Sequence, residues 1–260
     1  RRWLADGLVD LVVPNMPGML LDAEMPIEWL LEAAHAADAW VFPKLSGVPY
    51  DDRYHLPSIE ILRAAATRLH AMGVDGLYLA DLKWPHGARE YQILRELGDP
   101  EIHERKTKLY LTVHETGDAH LPTRPLPLTL KEGEPASVAV HVSDRLDAAR
   151  EDAALAGAHL GVRIVQHCPL DELRFTFNDH EITPARVEHF YGGLVSYTAA
   201  RGGLPERINT HYWFHFDLQV DWLQEGENSV QVTMTKHFDE LEDDRVLLQV
   251  ELEIRYVEPA

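Results

Sequence analysis

The chain opens on a pattern of strand, loop and helix that occurs three times and then stops. The predicted strands are short apolar runs that each end in a polar loop, at residues 8–13, 39–42 and 76–80. The predicted helices cover residues 26–37, 59–72 and 88–97. Strands that alternate with helices of this length pair in parallel. Three such units are too few to close an eight-stranded barrel, so the sequence predicts the C-terminal part of a (β/α)8 TIM barrel.

The remainder of the chain reads as a different class of domain. Short alternating runs lie at residues 137–142, 160–165, 173–177, 212–220, 229–234 and 245–256, with turns between them. Such a series is typical of an all-β sandwich or jelly roll. Residues 144–156 are predicted as one short inserted helix. The expected organisation is therefore α/β plus all-β, with a partial barrel over 1–110, a linker over 111–127 and a β-sandwich over 128–260.

Composition narrows the partners of the chain. It has 43 acidic and 24 basic residues, for a net charge of -19, which argues against nucleic acid and against anionic membrane surfaces. Cys168 is the single cysteine, so an internal disulfide is impossible. No glycine-rich phosphate loop follows a strand, and no cofactor is predicted. Localisation and oligomeric state stay open.

Three segments of the first part resemble the C-terminal half of the family 10-like glycosyl hydrolase barrels. They are WLADGLVDLVVP at residues 3–14, AAATRLHAMGVDGLYL at 64–79 and LRELGDP at 94–100. In the second part, LRFTFNDH at 173–180 and LQEGENSVQV at 223–232 resemble turns of the jelly-roll domains that glycosidases often carry. The resemblance implies that the three strands are the last three of a barrel.

The same resemblance implies a carbohydrate partner and a pair of catalytic carboxylates. In the retaining barrels of this clan the acid/base follows strand four, which has no counterpart here, and the nucleophile follows strand seven. That strand ends here in Phe42-Pro43-Lys44, without a glutamate, so the catalytic residues stay unknown. The expected function is the C-terminal portion of a glycoside hydrolase-like protein that supplies one side of a sugar cleft and is not catalytic alone. The alternative is a non-catalytic carbohydrate-binding or scaffold protein.

The candidate substrate-binding residues follow the three strands, because the carboxyl ends of barrel strands carry the active site. Asp81, Lys83 and Trp84 come after the third strand, where a tryptophan can stack on a sugar ring and its neighbours can bind hydroxyl groups. The alternative is a tryptophan that closes the barrel rim beside a salt-bridged Asp81 and Lys83. Asn15 and Lys44 end the other two strands and could complete the floor of one pocket.

The polar loop at residues 50–55 adds two further candidates. Asp52 and His55 belong to residue types that bind polyols, and with Asp51 they could also ligate a metal. Their spacing matches no known metal loop, so no metal site is predicted.

One run of histidines stands out in the second part, at residues 210–217. Strand alternation puts His211, Trp213, His215 and Asp217 on one face, and the apolar residues between them on the core face. The first face is predicted to point outward. It could be a carbohydrate platform, a contact surface for the barrel or a transition-metal site.

Overall fold

The computed structural model describes residues 2–15, 21, 24–45, 56–80, 82–112, 125–192, 209–240 and 243–257. The chain divides into two compact units. The α/β unit comprises Arg1–Leu109, Ser143–Arg145 and Tyr256–Ala260, and the β-rich unit comprises Tyr110–Val142 and Leu146–Arg255. The chain therefore combines a mixed α/β part with a sheet-rich part. None of the helices in the described ranges has the length and apolar character needed to cross a bilayer.

The α/β unit contains the three predicted helices in order, two further short helices, and two short strands in place of the second predicted strand. Its elements are α1 (Arg2–Ala5), β1 (Leu11–Val12), α2 (Glu28–His35), β2 (Trp40–Val41), β3 (Lys44–Leu45), α3 (Ile59–Ala71), β4 (Tyr78–Leu79), α4 (Ala88–Glu96) and α5 (Pro100–His103). The Ser58 hydroxyl caps α3 by accepting a hydrogen bond from the Ile61 amide at 3.3 Å. Gly73 follows α3 with φ +90°, and Asp38 follows α2 with φ +53°, so left-handed residues end both helices.

The strands of this unit pair in parallel and in chain order. β1 pairs with β2, and β3 pairs with β4. The Lys44 amide also donates to the Pro14 carbonyl at 2.9 Å, and the Tyr78 amide donates to the Pro43 carbonyl at 3.0 Å. Residues 40–45 therefore lie between residues 10–14 and 75–79, so strands that are consecutive in the chain are also neighbours. The regular strands are shorter than the apolar runs that predicted them.

Asp75, in the Gly-Val-Asp-Gly segment, ties β2 to the loop before β4. Its Oδ2 accepts from the Val41 amide at 2.7 Å and from His35 Nε2 at 3.0 Å. Burial raises the pKa of Asp75, but the hydrogen bonds from Val41 and His35 outweigh it and hold the pKa below its usual value. The motif that carries the resemblance thus has a structural role in this chain.

A buried ion-pair network joins α3 and α4 to the segment before the next strand. Arg63 Nε donates to Glu96 Oε2 at 2.8 Å, and Lys106 Nζ lies 2.8 Å from Glu96 Oε1. Arg63 Nη1 also donates to the Thr107 carbonyl at 3.1 Å. Burial raises the pKa of Glu96, but the bonds from Arg63 and Lys106 outweigh it and lower the pKa to about 2. The carboxylate is therefore strongly favoured in the folded state.

The β-rich unit is built from two sheets. Its elements, with the boundary between the units falling inside β5, are β5 (Lys108–Leu111), β6 (Leu128–Leu130), β7 (Pro135–Val142), α6 (Leu146–Glu151), β8 (Leu155–Val165), β9 (Glu172–Phe177), β10 (His180–Ile182), β11 (Arg186–Gly192), β12 (Asn209–Leu218), a 3-10 turn (Val220–Trp222), β13 (Gly226–Lys236) and β14 (Arg245–Tyr256). One sheet has the order β10-β9-β13-β7. The other has the order β11-β12-β8-β14-β5, with β6 also pairing with β14.

The two sheets pack face to face through aromatic rings. Phe175 of β9 contacts the rings of Phe214 and Phe216 of β12, each at a centroid distance of 5.0 Å. Phe214, Phe216 and Leu218 are all buried, as the predicted core face requires. This arrangement fits a β-sandwich.

Two predicted turns serve the architecture of the sandwich. Asn178 and Asp179 join β9 to β10 with φ +45° and +67°, the left-handed pair of a tight hairpin. The buried Asn228 side chain accepts a hydrogen bond from the Gln224 amide at 2.9 Å and donates one to the Gln224 carbonyl at 2.8 Å. Asn178 Nδ2 donates to Asn228 Oδ1 at 2.8 Å, which links the two turns.

Two details of the second part differ from the sequence prediction. The inserted helix, predicted over 144–156, is only α6, because Ala153 takes φ +50° and β8 begins at Leu155. Within the predicted linker 111–127, Leu111 belongs to β5 and Leu126 is fully buried. Residues 113–124 lie outside the described residues, so the domain bounds stay a prediction.

A second buried ion pair, between Asp171 and Arg245, joins the loop after β8 to β14. The Asp171 carboxylate accepts from Arg245 Nε at 2.8 Å and Nη2 at 3.1 Å, and both side chains are fully buried. It also accepts from the amides of Cys168 and Phe238, each at 2.8 Å. Burial raises the pKa of Asp171, but the bonds from Arg245 and the two amides outweigh it and keep the pKa below its usual value.

Candidate functional site

The parallel pairing of the α/β unit brings the carboxyl ends of its strands to one edge. Asn15 follows Pro14, whose carbonyl accepts from the Lys44 amide, and Lys44 stands in register with Tyr78 of β4. Lys83 and Trp84 come shortly after β4. Asn15, Lys44 and the Lys83-Trp84 pair therefore belong to the ends of three neighbouring strands.

The predicted site residues differ in how accessible they are. Asn15, Lys83 and Trp84 are exposed, and Lys44 is half-buried. Asp52, His55 and Asp81 lie outside the described residues, so their predicted roles, and the salt bridge expected between Asp81 and Lys83, are untested. The assignment of all seven residues to substrate binding stays a prediction.

Trp84 is the most exposed large apolar side chain of this edge, at 83% of its full accessible area. The His86 ring meets it edge-on at a centroid distance of 5.2 Å, and Tyr91 of α4 meets His86 edge-on at 5.9 Å. His86 Nδ1 lies 2.9 Å from the Lys83 carbonyl, which fixes the His86 ring beside Trp84. We call Trp84, His86 and Tyr91, together with Lys83, the aromatic platform.

A small, open apolar depression lies at the ends of β3 and β4. Arg89 at its rim donates to the Pro57 carbonyl at 3.1 Å, which links α4 to the start of α3. The lining residues are Leu45, Leu56, Pro57, Leu62, Leu79, Ala80, Leu82, Arg89, Ile93 and Leu97. The depression beside this edge is therefore lined mainly by apolar side chains, and the polar groups available to a ligand lie at its margin.

The second candidate, the histidine run of β12, lies on the face of the sheet opposite the Phe214 and Phe216 core face, as alternation predicts, but most of it is covered. His211 is fully buried, Trp213 is 2% exposed, and His215 is also buried, so only Asp217 reaches solvent freely. Alternation assigned the residues to the correct faces, but it carries no information about whether a face is covered. The run therefore does not form an open platform.

The side chains of neighbouring strands turn this side of the six-stranded sheet into a polar face. Residues in register with the run, or against it, include Arg186, Glu188 and Phe190 of β11, His159, Gly161 and Arg163 of β8 and Glu251 of β14. We call these residues, with His211, Trp213, His215 and Asp217, the polar face. A Cβ atom on Gly161 would lie 2.8 Å from Glu251 Cγ, so the glycine makes room for the Glu251 side chain.

Arg163 organises the covered end of the polar face. Its Nε donates to His211 Nδ1 at 3.1 Å, and its guanidinium lies 5.3 Å from the Phe190 ring centre and 5.8 Å from the Trp213 ring centre. Phe190 stacks on His211 with a centroid distance of 5.0 Å. A guanidinium held between aromatic faces and a histidine rigidifies three strands at once.

Histidines and carboxylates meet at the accessible end of the polar face. His159 Nε2 and His215 Nδ1 are 3.1 Å apart, His159 Nδ1 is 3.5 Å from Asp217 Oδ1, and His215 Nε2 is 3.5 Å from Glu188 Oε2. Among the described residues, no group of three or more His, Cys, Asp or Glu side chains is arranged to hold a metal ion. The transition-metal alternative for the histidine run therefore has no support in this part of the chain.

The sequence reading missed His86 and Tyr91 in the α/β unit, and Arg163, Glu188 and Glu251 in the β-rich unit. Tyr91 could have been found from its place in the first turn of the helix that follows Trp84. The other residues gave no local signal, because their roles depend on strands that pair across long stretches of chain.

Comparison with known proteins gives likeness of low similarity, and to solved structures alone. No protein-family model matches the chain, and no curated protein sequence matches it. Among solved structures, the chain is similar to a β-porphyranase of glycoside hydrolase family 86 from the human gut bacterium Bacteroides plebeius, with 11% identity and a TM-score of 0.36. The likeness covers 59% of this chain and 21% of that one, so the chain matches about a fifth of the length of that enzyme. The resemblance to family 10-like barrels stays a prediction.

Proposed function

We propose that this chain is a carbohydrate-binding part of a glycoside hydrolase-like protein, with the aromatic platform as its sugar-contacting surface. The observation that carries the proposal is the exposure of Trp84 beside Lys83 at the carboxyl end of β4. An aromatic ring that is open on one face offers a large apolar surface to a sugar ring, while nearby polar groups can bind its hydroxyls.

In this proposal the α/β unit is an arc of a (β/α)8 barrel, over residues 1–110. Successive strands pair in parallel and in chain order, as they do in barrels. Neighbouring residues of a strand point to opposite sides, and here Val41 is fully buried while Trp40 is 60% exposed. Tyr78 of β4 is 50% exposed. Apolar side chains at inward positions fill the centre of a complete barrel, so their exposure supports an arc.

The proposal concerns binding and assigns no catalytic residue to this chain. Hydrolysis by a barrel of this type needs two carboxyl groups about 5–9 Å apart on either side of the scissile bond. In the proposal those groups come from further strands of a complete barrel, and Asn15, Lys44, Asp52, His55, Asp81, Lys83 and Trp84 bind substrate.

Replacing Trp84 by Ala is expected to weaken glycan binding by about tenfold or more, because the stacking surface is lost. The measurement is titration calorimetry of the full chain against a panel of soluble xylans, glucans, galactans and uronic-acid polymers. Trp3→Ala is the matched control, since Trp3 is also exposed but lies on α1, away from the platform. Absence of binding to every polymer, or equal loss in both variants, would overturn the proposal.

The exposed apolar positions of the arc give a separate expectation. The full chain is expected to self-associate as its concentration rises, because uncovered apolar surface and unpaired strand edges favour pairing. The double variant Trp40→Lys/Tyr78→Lys should reduce this association in sedimentation velocity runs. Leu170→Lys, which changes an exposed leucine of the β-rich unit, should not. A wild-type chain that stays monomeric throughout the range would argue against an open arc.

A further inference from the structure

His159 of β8 and His215 of β12 lie next to each other at the accessible end of the polar face. Their rings stack with a centroid distance of 5.3 Å, and His159 Nε2 lies 3.1 Å from His215 Nδ1. The outer nitrogen of each ring lies 3.5 Å from a carboxylate, that of Asp217 for His159 and that of Glu188 for His215. The four groups form a row of carboxylate, imidazole, imidazole and carboxylate across three neighbouring strands.

The number of protons that this row can hold follows from its geometry. A neutral imidazole has one N–H and one acceptor nitrogen, so two neutral rings bring two protons to four nitrogens. One proton has to lie between the rings, since two bare nitrogens at 3.1 Å repel each other. Only one proton is then left for the two outer nitrogens, and one carboxylate faces a lone pair. A third proton removes that conflict and places one positive charge between two carboxylates.

A fourth proton has no favourable position in the row. It would direct an N–H of His159 at an N–H of His215 and place two like charges in contact. We propose that the His159–His215 pair readily holds a single extra proton, and that uptake of a second extra proton at acidic pH separates the rings and loosens this end of the six-stranded sheet.

The surrounding charges act on added protons in both directions. Among the described residues, the charged groups on this side of the sheet are Arg186 and Glu188 of β11, Asp217 of β12, Arg163 of β8 and Glu251, Glu253 and Arg255 of β14. The carboxylates favour protonation of the pair and the arginines oppose it, so the contact between the two rings is what separates the first extra proton from the second. Burial lowers the pKa of His215, and the charges of Arg186 and His159 lower it further, while Glu188 opposes them.

The sign of the pH effect follows from the same comparison. Histidines of the unfolded chain bind protons with a pKa of about 6.5. Because the folded pair binds its second extra proton more weakly than that, the unfolded chain holds more protons below about pH 6.5. Stability of the β-rich unit is therefore present at neutral pH and falls as the pH drops through this range.

The first test is an NMR titration of the histidine rings in the full chain, from pH 8 to pH 4.5. His159 and His215 are expected to show two steps separated by more than about one pH unit, which is the signature of coupled sites. In His159→Gln, the remaining His215 should titrate in a single step. His237, which pairs with Asp239 at 3.0 Å, is the internal control, and its ring signals should be the same in both proteins. Single, independent curves for His159 and His215 would overturn the proposal.

The second test measures the loosening itself by backbone hydrogen exchange. After correction for intrinsic rates, amides of β8 and β12 near the pair should lose about tenfold or more of their protection between pH 7.5 and pH 5. His159→Gln should remove this pH dependence, and His237→Gln should retain it. Asp217→Asn, a change at an exposed residue, should move the first titration step to lower pH. An equal loss of protection in wild type and His159→Gln would contradict the proposed role of the histidine pair.

Discussion

Replacing Asp171 by Asn is expected to lower the free energy of unfolding of the β-rich unit by about 3–5 kcal/mol, because it leaves the buried Arg245 guanidinium without its counter-charge. The Asp171 carboxylate accepts four hydrogen bonds, two from Arg245 and one each from the Cys168 and Phe238 amides. An amide side chain can accept at only one of its two terminal atoms. The variant therefore loses bonds as well as charge, at a place where both side chains are fully buried.

The pH dependence of the Asp171 pair identifies it in solution. The pKa of Asp171 is lower in the folded chain than in the unfolded chain, so its stabilisation is complete above about pH 4 and is lost as the pH falls below that value. Urea unfolding at pH 7 and pH 3 should show the full difference between wild type and Asp171→Asn at pH 7 and a smaller one at pH 3. Asp179→Asn, an exposed change in a hairpin turn that either residue tolerates, is the control. Equal stability of Asp171→Asn and wild type at pH 7 would contradict the assignment.

Replacing Glu96 by Gln is expected to destabilise the α/β unit by about 3 kcal/mol at neutral pH, because Arg63 and Lys106 lose their shared carboxylate. The pKa of Glu96 falls from an ordinary 4.5 to about 2 in the folded chain. This contribution is therefore present above about pH 4.5 and disappears as the pH falls through that value towards 2. Removal of the network should loosen the contact of α3 with α4 before it affects the parallel strands.

Hydrogen exchange resolves this effect to the helix concerned. Amides of α3 (Ile59–Ala71) should lose protection in Glu96→Gln at pH 7. Glu101→Gln, which changes an exposed glutamate on α5, should leave α3 protected as in wild type. Unchanged exchange of α3 in Glu96→Gln would mean that the Arg63 pair contributes little net stability.

Elements with a local signal were the part of the fold that the sequence could predict. Ser58 and Gly73 bracket α3, and the left-handed turn at Asn178-Asp179 marks a hairpin, so both were read from neighbouring residues. The length of the parallel strands was not predictable in this way. Regular pairing over residues 10–14 and 40–45 depends on how the two backbones are aligned in the folded chain, which neighbouring residues do not specify. The inserted helix was drawn too long because the left-handed conformation of Ala153 gives no compositional signal.

The candidate sites show the same difference between signals from neighbouring residues and contacts made by distant segments. Trp84 was accessible to sequence reasoning because strand ends carry function in barrels, whereas its contact with His86 depends on the turn between β4 and α4. The burial of His211 and Trp213 could not be foreseen from alternation. The side chains beside them, such as Arg163 and Phe190, belong to strands that are far away in the sequence.

The pairing pattern of the two units also bears on how the chain reaches its native state. In the α/β unit each strand finds its partner one helix away, as β1 does with β2, which keeps contacts local. In the β-rich unit, Leu130 of β6 pairs with Arg245 of β14, and β8 pairs with β12, so the partners are separated by long stretches of chain. Pairing between distant segments slows folding, so the β-rich unit is expected to form after the α/β unit. It is also expected to spend longer as an aggregation-prone intermediate. Temperature or chaperone supply during synthesis would then affect the yield of folded β-rich unit before it affects that of the α/β unit.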